Sequence, residues 1–194
     1  MTALVLSGCN QNTEEDTPQE TMEVVPEEGE VSEQEESSAG VTRDAFKTFT
    51  TENIAGERID QEIFKGKKVT MINIWGTFCG PCVEEMPILG KLHEEYKDQD
   101  FQVVGLVVDV LDQDMKVDPG QLVKAEEVVA KTGAHYIHLL PSQELIENKL
   151  AYTQAIPETV FVDENGNQIG DKIVGAKDEA GWRAIIDEKL AEVQ

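Results

Sequence analysis

Val69-Thr70-Met71-Ile72-Asn73-Ile74-Trp75-Gly76-Thr77-Phe78-Cys79-Gly80-Pro81-Cys82 decides how this chain is read. Seven mostly apolar residues, rich in β-formers, lead into a Gly- and Thr-containing turn and then into a helical stretch. That is the pattern of a buried strand feeding a helix. Two cysteines separated by two residues stand where the helix starts. The unpaired amides of a first helical turn carry positive partial charge, so a thiolate placed there is stabilised. The thiolate is the attacking species in thiol–disulfide exchange. The same spacing also serves zinc sites, which need a second pair of ligands. The chain holds no second Cys-x-x-Cys, and His93, His135 and His138 show no ligand spacing relative to the pair. No metal is expected, and redox chemistry is the favoured reading. A static disulfide is disfavoured because so short a loop removes little chain entropy.

The apolar pattern continues on either side. Residues 45–51 and 57–63 alternate around a turn at residues 53–56 and read as an amino-terminal hairpin. Residues 81–97 place Val83, Met86, Leu89, Leu92 and Tyr96 on one helical face, with Pro87 expected to kink it. Residues 101–108 read as a second buried strand, 109–120 as a solvated acidic loop and 121–131 as a helix. A short strand at 136–140 and a short helix at 144–152 follow. Residues 159–163 read as a third central strand, and 168–174 as its hairpin partner across the Asn165-Gly166 turn. A final helix, residues 177–193, starts near Asp178. Helical crossovers early and a tight turn late imply a mixed α/β sheet with helices on both faces. The acidic loop superficially suggests calcium, but it lacks the Gly and terminal Glu of an EF-hand loop.

Charge and length bound the rest. The 194 residues carry a net charge of −23, and eleven acidic residues with no Lys or Arg fall between Asn10 and Gly40. Residues 10–40 are therefore expected to form a disordered acidic tether, because they contain too little apolar surface to offset ordering entropy. Such acidity excludes nucleic acid as a partner. Leu4-Val5-Leu6-Ser7-Gly8-Cys9 resembles a bacterial lipobox preceded by a shortened signal segment. Residues 1–9 are accordingly expected to be processed and Cys9 lipidated. Residues 41–194 are expected to form one domain, and no segment approaches the roughly 20 apolar residues of a membrane span.

Trp75-Gly76-Thr77-Phe78-Cys79-Gly80-Pro81-Cys82, then Glu85-Met86-Pro87 and later Ile156-Pro157-Glu158-Thr159, resemble the thioredoxin superfamily. More narrowly, they resemble its TlpA/ResA-like extracytoplasmic thiol–disulfide oxidoreductases. The resemblance implies a thioredoxin-like fold with a helix–strand insertion between residues 108 and 159. It implies Cys79 as nucleophile and Cys82 as resolving thiol, with the Cys79–Cys82 disulfide in place of any cofactor. Pro157 is then a cis-proline beside the cysteines, Ile156 and Phe78 line the substrate site, and Trp75, grouped with them, resembles the family's tryptophan packed beneath the redox turn. Phe78 replaces a tryptophan common before the first cysteine in relatives. Asn73 stands where thioredoxin has a buried Asp, and Glu85 is then the candidate proton-handling carboxylate.

Gly80-Pro81 resembles the thioredoxin dipeptide, which belongs to a low-potential couple of about −270 mV. That favours a reductase of exported protein disulfides, with oxidised methionine sulfoxide reductase or the thiols of apocytochrome c as candidate substrates. A membrane dithiol carrier of CcdA/DsbD-like type would supply electrons. The expected location is extracytoplasmic, held to the bacterial membrane by lipidated Cys9, and a monomer is expected. The alternatives are a thiol oxidase that installs disulfides and a non-catalytic lipoprotein adaptor using the same groove. Val83 follows Cys82, so the chain lacks the Cys-x-x-Cys-His of c-type haem attachment.

Overall fold

The computed structural model describes residues 44–193, so the lipobox with Cys9 and residues 10–40 lie outside the described residues. Two short strands open the described chain, β1 (Thr50–Glu52) and β2 (Arg58–Asp60), paired antiparallel with Thr51 opposite Ile59. Strand β3 (Val69–Trp75), helix α1 (Gly80–Tyr96), strand β4 (Phe101–Val107) and helix α2 (Pro119–Thr132) come next. Strand β5 (Ile137–Leu139), helix α3 (Gln143–Asn148), a 3-10 turn at Leu150–Tyr152 and strand β6 (Glu158–Val162) follow. Strand β7 (Ile173–Val174) and helix α4 (Glu179–Glu192) complete the order.

The five-stranded sheet runs β5-β4-β3-β6-β7, with β3, β4 and β5 mutually parallel, β6 antiparallel to β3, and β7 antiparallel to β6. This is the mixed sheet the sequence implied. Three of the expected strands are markedly shorter, and the hairpin's second arm, expected over residues 57–63, is strand only at Arg58–Asp60 before the 3-10 turn Gln61–Phe64, which Asp60 caps. The hairpin's first arm is strand only from Thr50, because Ala45, Phe46 and Phe49 turn inward against Phe64 instead of pairing. The partner expected over residues 168–174 forms ladder only at Ile173 and Val174, with an isolated bridge from Gln168 to Val162. Helix α1 continues through Pro87, which lies on its exposed side.

Side-chain alternation sorts the core into two layers. Val69, Met71 and Trp75 point from β3 to the face covered by α1, α2 and α4, where Met86, Leu89, Leu92, Val129, Trp182 and Ile186 pack. Ile72 and Ile74 point to the opposite face, against Phe49, Phe64 and Leu145 of α3. Each fully buried side chain of α1 contributes about 1.5–3 kcal/mol by leaving water, enough to pin the helix although Pro87 removes one of its backbone donors.

A polar row crosses the first of these faces. In register, Thr159 of β6 lies beside Asn73 of β3, Asn73 beside Gly105 of β4, and Gly105 beside His138 of β5. Gly105 is required there: a Cβ would lie 2.2 Å from His138 Nδ1 and 3.0 Å from Trp75 Nε1. On the other face, Glu158 at the start of β6 is completely buried and paired with two lysines. Lys149 is itself buried, and Lys172 reaches Glu158 Oε2 at 2.9 Å from a partly exposed position. Thr153 Oγ1 also donates to Glu158 Oε1 at 3.3 Å. These bonds hold the end of the α3 segment against the first residue of β6.

Removing one member of a buried ion pair strands the other charge. Glu158→Gln is therefore expected to lower unfolding free energy by about 3–5 kcal/mol in urea titrations, whereas Lys172→Met costs far less because Lys149 still neutralises the carboxylate. Equal losses for the two variants would contradict this division.

Candidate active site

The redox turn is built from the carboxyl end of β3 and the amino end of α1. Cys79 is the N-cap of α1, and Gly80-Pro81 form its first positions, where the missing proline N–H costs nothing. The Cys82 amide donates to Cys79 Sγ at 3.3 Å. The two cysteines form a disulfide with a Cα–Cα separation of 5.3 Å. Cys79 keeps 7% of its surface exposed and Cys82 none, so only the first sulfur is open to an incoming group. Once the pair is reduced, a Cys79 thiolate lies at the positive end of the helix.

Two side chains anchor this turn from beneath and beside. Thr77 donates through its backbone N–H, at 3.0 Å, and its hydroxyl to the Asp109 carboxylate. Asp109 thus ties the turn to the segment after β4, a correction to the reading of residues 109–120 as a solvated loop. Within that segment Asp112 accepts from the amides of Asp114 and Lys116, and Asp118 caps α2 through the amides of Gly120 and Gln121.

Trp75 is fully buried, as expected of a tryptophan packed beneath the redox turn, and offers no surface to a substrate although the resemblance groups it with the substrate-site residues. Its indole N–H donates to His138 Nδ1 at 3.1 Å, and His138 Nε2 faces the Ala134 carbonyl at 2.9 Å. Burial lowers the His138 pKa to about 4, which keeps the ring neutral. A neutral ring with an unprotonated Nδ1 accepts the indole, and its Nε2–H donates to the carbonyl. Trp75 therefore supports the turn from below.

Glu85 is one helical turn beyond Cys82 and only 2% exposed. Its Oε1 accepts from Asn73 Nδ2 at 2.9 Å. Its Oε2 accepts from Trp182 Nε1 at 3.1 Å and from the Lys177 amide at 3.2 Å. Asn73 Nδ2 also donates to Thr159 Oγ1 at 3.1 Å, while its buried Oδ1 has no hydrogen-bond partner. The three donors favour the carboxylate and burial favours the neutral acid. Burial prevails, and the Glu85 pKa is raised above its ordinary value. Glu84 beside it is exposed.

Opposite the turn, the Ile156–Pro157 peptide is cis, and Pro157 is buried just ahead of β6. The register that sets Ile74 against Glu158 brings this segment alongside the end of β3. Phe78 is 74% exposed, and its ring meets the Ile156 side chain over Gly76: a Cβ on Gly76 would lie 2.9 Å from Phe78 Cε1 and 3.2 Å from Ile156 Cδ1. Phe78 and Ile156 thus form a rim next to Cys79, with buried Pro157 adjoining Ile156, while Cys82, Glu85 and Trp75 lie behind it.

A cysteine pair at the mouth of α1, with a cis-proline just ahead of the antiparallel neighbour of β3, defines a thioredoxin-like fold. The chain belongs to the Redoxin family, whose profile matches residues 42–189. Thiol-disulfide oxidoreductase ResA of Bacillus thuringiensis subsp. konkukian is 38% identical over 64 residues, 33% of this chain and 36% of the relative. Thioredoxin-like protein YneN of Bacillus subtilis is 43% identical over 51 residues, 26% of this chain and 29% of that protein. The match thus spans about a third of the length of these relatives. Among solved structures, a thioredoxin family thiol:disulfide interchange protein from Chlorobium tepidum superposes with a TM-score of 0.61. It is 24% identical, over 74% of this chain and 93% of that one.

The Glu85 shift fixes a sign for stability. A carboxyl whose folded pKa is raised contributes stability fully below its unfolded value of about 4.3 and loses it as pH rises through the folded pKa. Wild-type protein should therefore lose stability relative to Glu85→Gln as pH climbs from about 4 toward 7.5 in paired urea titrations. Parallel curves, or a gap that closes with rising pH, would contradict the assignment.

Proposed function

We propose that the protein is a thiol–disulfide oxidoreductase that reduces disulfides in exported proteins. The observation that carries this reading is the Cys79–Cys82 disulfide, with its first sulfur open at the helix mouth and its second closed off behind it. In the reduced protein the Cys79 thiolate attacks one sulfur of a substrate disulfide. A mixed disulfide forms, and the other substrate sulfur leaves as a thiolate and takes up a proton. Cys82 then loses its proton and attacks Cys79 Sγ, which expels the second substrate thiolate. Two electrons pass to the substrate, and the Cys79–Cys82 disulfide remains.

Glu85, on the same helix face as Cys82 and three residues on, is the base for that second proton. Its raised pKa supports the role, because a carboxyl that binds a proton more readily than usual can accept one from a thiol and return it. The Ile156–Pro157 backbone and the Phe78 ring receive the substrate chain. Gly80-Pro81 supports the reducing direction, which requires a dithiol donor of CcdA/DsbD-like type to restore the pair. The lipobox ending at Cys9 and the acidic stretch after it support an extracytoplasmic domain tethered to the membrane. Candidate substrates are the disulfide between the haem-attachment cysteines of apocytochrome c or an oxidised methionine sulfoxide reductase.

Equilibration against glutathione or dithiothreitol buffers should give a potential near about −270 mV, and Cys79→Ser should abolish insulin reduction. A potential near about −120 mV would make the protein an oxidant instead. Insulin reduction that survives Cys79→Ser would remove Cys79 as the nucleophile.

A further inference from the structure

An apolar groove of about 690 Å³ opens beside the redox turn, on the side of the segment following β4. Its walls are Phe78 and Ile156 on one side, and Leu111, Met115, Ile146 and Leu150 on the other. Phe78 and Ile156 also form the rim next to Cys79, so groove and disulfide share two side chains. Any protein whose disulfide reaches Cys79 Sγ lays its chain across this opening within a residue or two. Adjacent residues of an extended chain are about 3.3 Å apart.

The far wall is held in place. Leu111 bridges to Val117, the Asp112 amide donates to the Lys116 carbonyl at 2.7 Å, and the Met115 amide donates to the Asp112 carbonyl at 3.1 Å. Met115 stands at the tip of this turn with φ of 60° and 58% of its surface exposed. That left-handed conformation is uncommon for a residue with a side chain. The turn thus presents a flexible, polarisable side chain to solvent beside the groove. Asp112 lies in the lining, and Glu147 lies at its extension past Ile146. With a chain charge of −23, these carboxylates oppose an acidic partner or a second copy of the chain.

We propose that this groove selects substrate: it seats a large apolar side chain placed within two residues of the cysteine under attack, in a segment free of acidic residues. The proposal rests on the thiol–disulfide exchange reading. Burying a side chain of leucine or phenylalanine size is the kind of contact that separates substrates by one to two orders of magnitude.

The test uses reduced protein and synthetic peptides carrying one cysteine as a mixed disulfide with glutathione. The neighbouring positions hold Leu or Phe, Ser, or Asp, and second-order rate constants are measured by mass spectrometry. Leu and Phe peptides are expected to react about tenfold or more faster than Ser peptides, and Asp peptides more slowly than Ser. Leu111→Ser and Met115→Ser should bring the Leu-to-Ser ratio toward one, and Met115→Leu should retain it. Equal rates for Leu and Ser peptides in wild-type protein, or a ratio indifferent to both serine variants, would overturn the groove while leaving disulfide exchange intact. A dimer in sedimentation that closes this face would also overturn it. No exchange with any peptide would overturn the exchange reading and the groove with it.

Discussion

A carboxylate buried under the redox helix ties the site together. Glu85 of α1 accepts hydrogen bonds from Asn73 of β3, Trp182 of α4 and the backbone of Lys177 ahead of α4. Asn73 in turn reaches Thr159 of β6. Taking an ionised carboxyl out of water is expensive, and three donors are what keeps that position tenable. The same bonds fix the rotation of α1 about its axis, and so fix which cysteine faces outward. The packing of α1 against β3 and α4 thus converges on one group, and burial leaves its affinity for a proton higher than usual.

Around that group the two sheet faces divide the work. On the α1 side, the polar row Thr159, Asn73, Gly105 and His138 runs beneath the redox turn, with Gly105 leaving room for the His138 ring and the Trp75 indole. On the other side, Glu158 with Lys149 and Lys172 fastens the first residue of β6 to the end of the α3 segment. Pro157 sits between these two arrangements. Its position therefore follows from contacts on both faces, and the adjoining rim of Ile156 and Phe78 next to Cys79 inherits that definition.

Much of this was legible in the chain. The strand-to-helix signal around Cys79 and Cys82, the buried strand at residues 101–108 and the final helix starting near Asp178 all stand close to where periodicity placed them. Glu85 was singled out by its spacing from Cys82 and by the family resemblance, which places Asn73 where thioredoxin has an Asp. What stayed hidden was partnership across the fold. Asp109 belongs to an acidic run that looks solvated, and nothing local reveals that Thr77 binds it. Trp75 was expected beneath the cysteine turn, but its His138 partner lies 63 residues further along the chain and nothing local reveals it. A histidine between Ile137 and Leu139, and a glycine inside a strand of large apolar residues, were the two signals available for the Trp75 support. Their meaning needed the parallel register of β3, β4 and β5.

On the proposed mechanism, the buried Glu85 carboxyl controls the proton of the cysteine pair. The most direct measurement is the rate of Cys79 alkylation in the reduced protein as a function of pH, in wild type and in Glu85→Gln. Coupled groups titrate as a set, so the wild-type curve should bend twice, with thiolate formation pushed to higher pH once Glu85 is ionised. The variant should show a single titration at lower pH. Superimposable curves for the two proteins would contradict the claim.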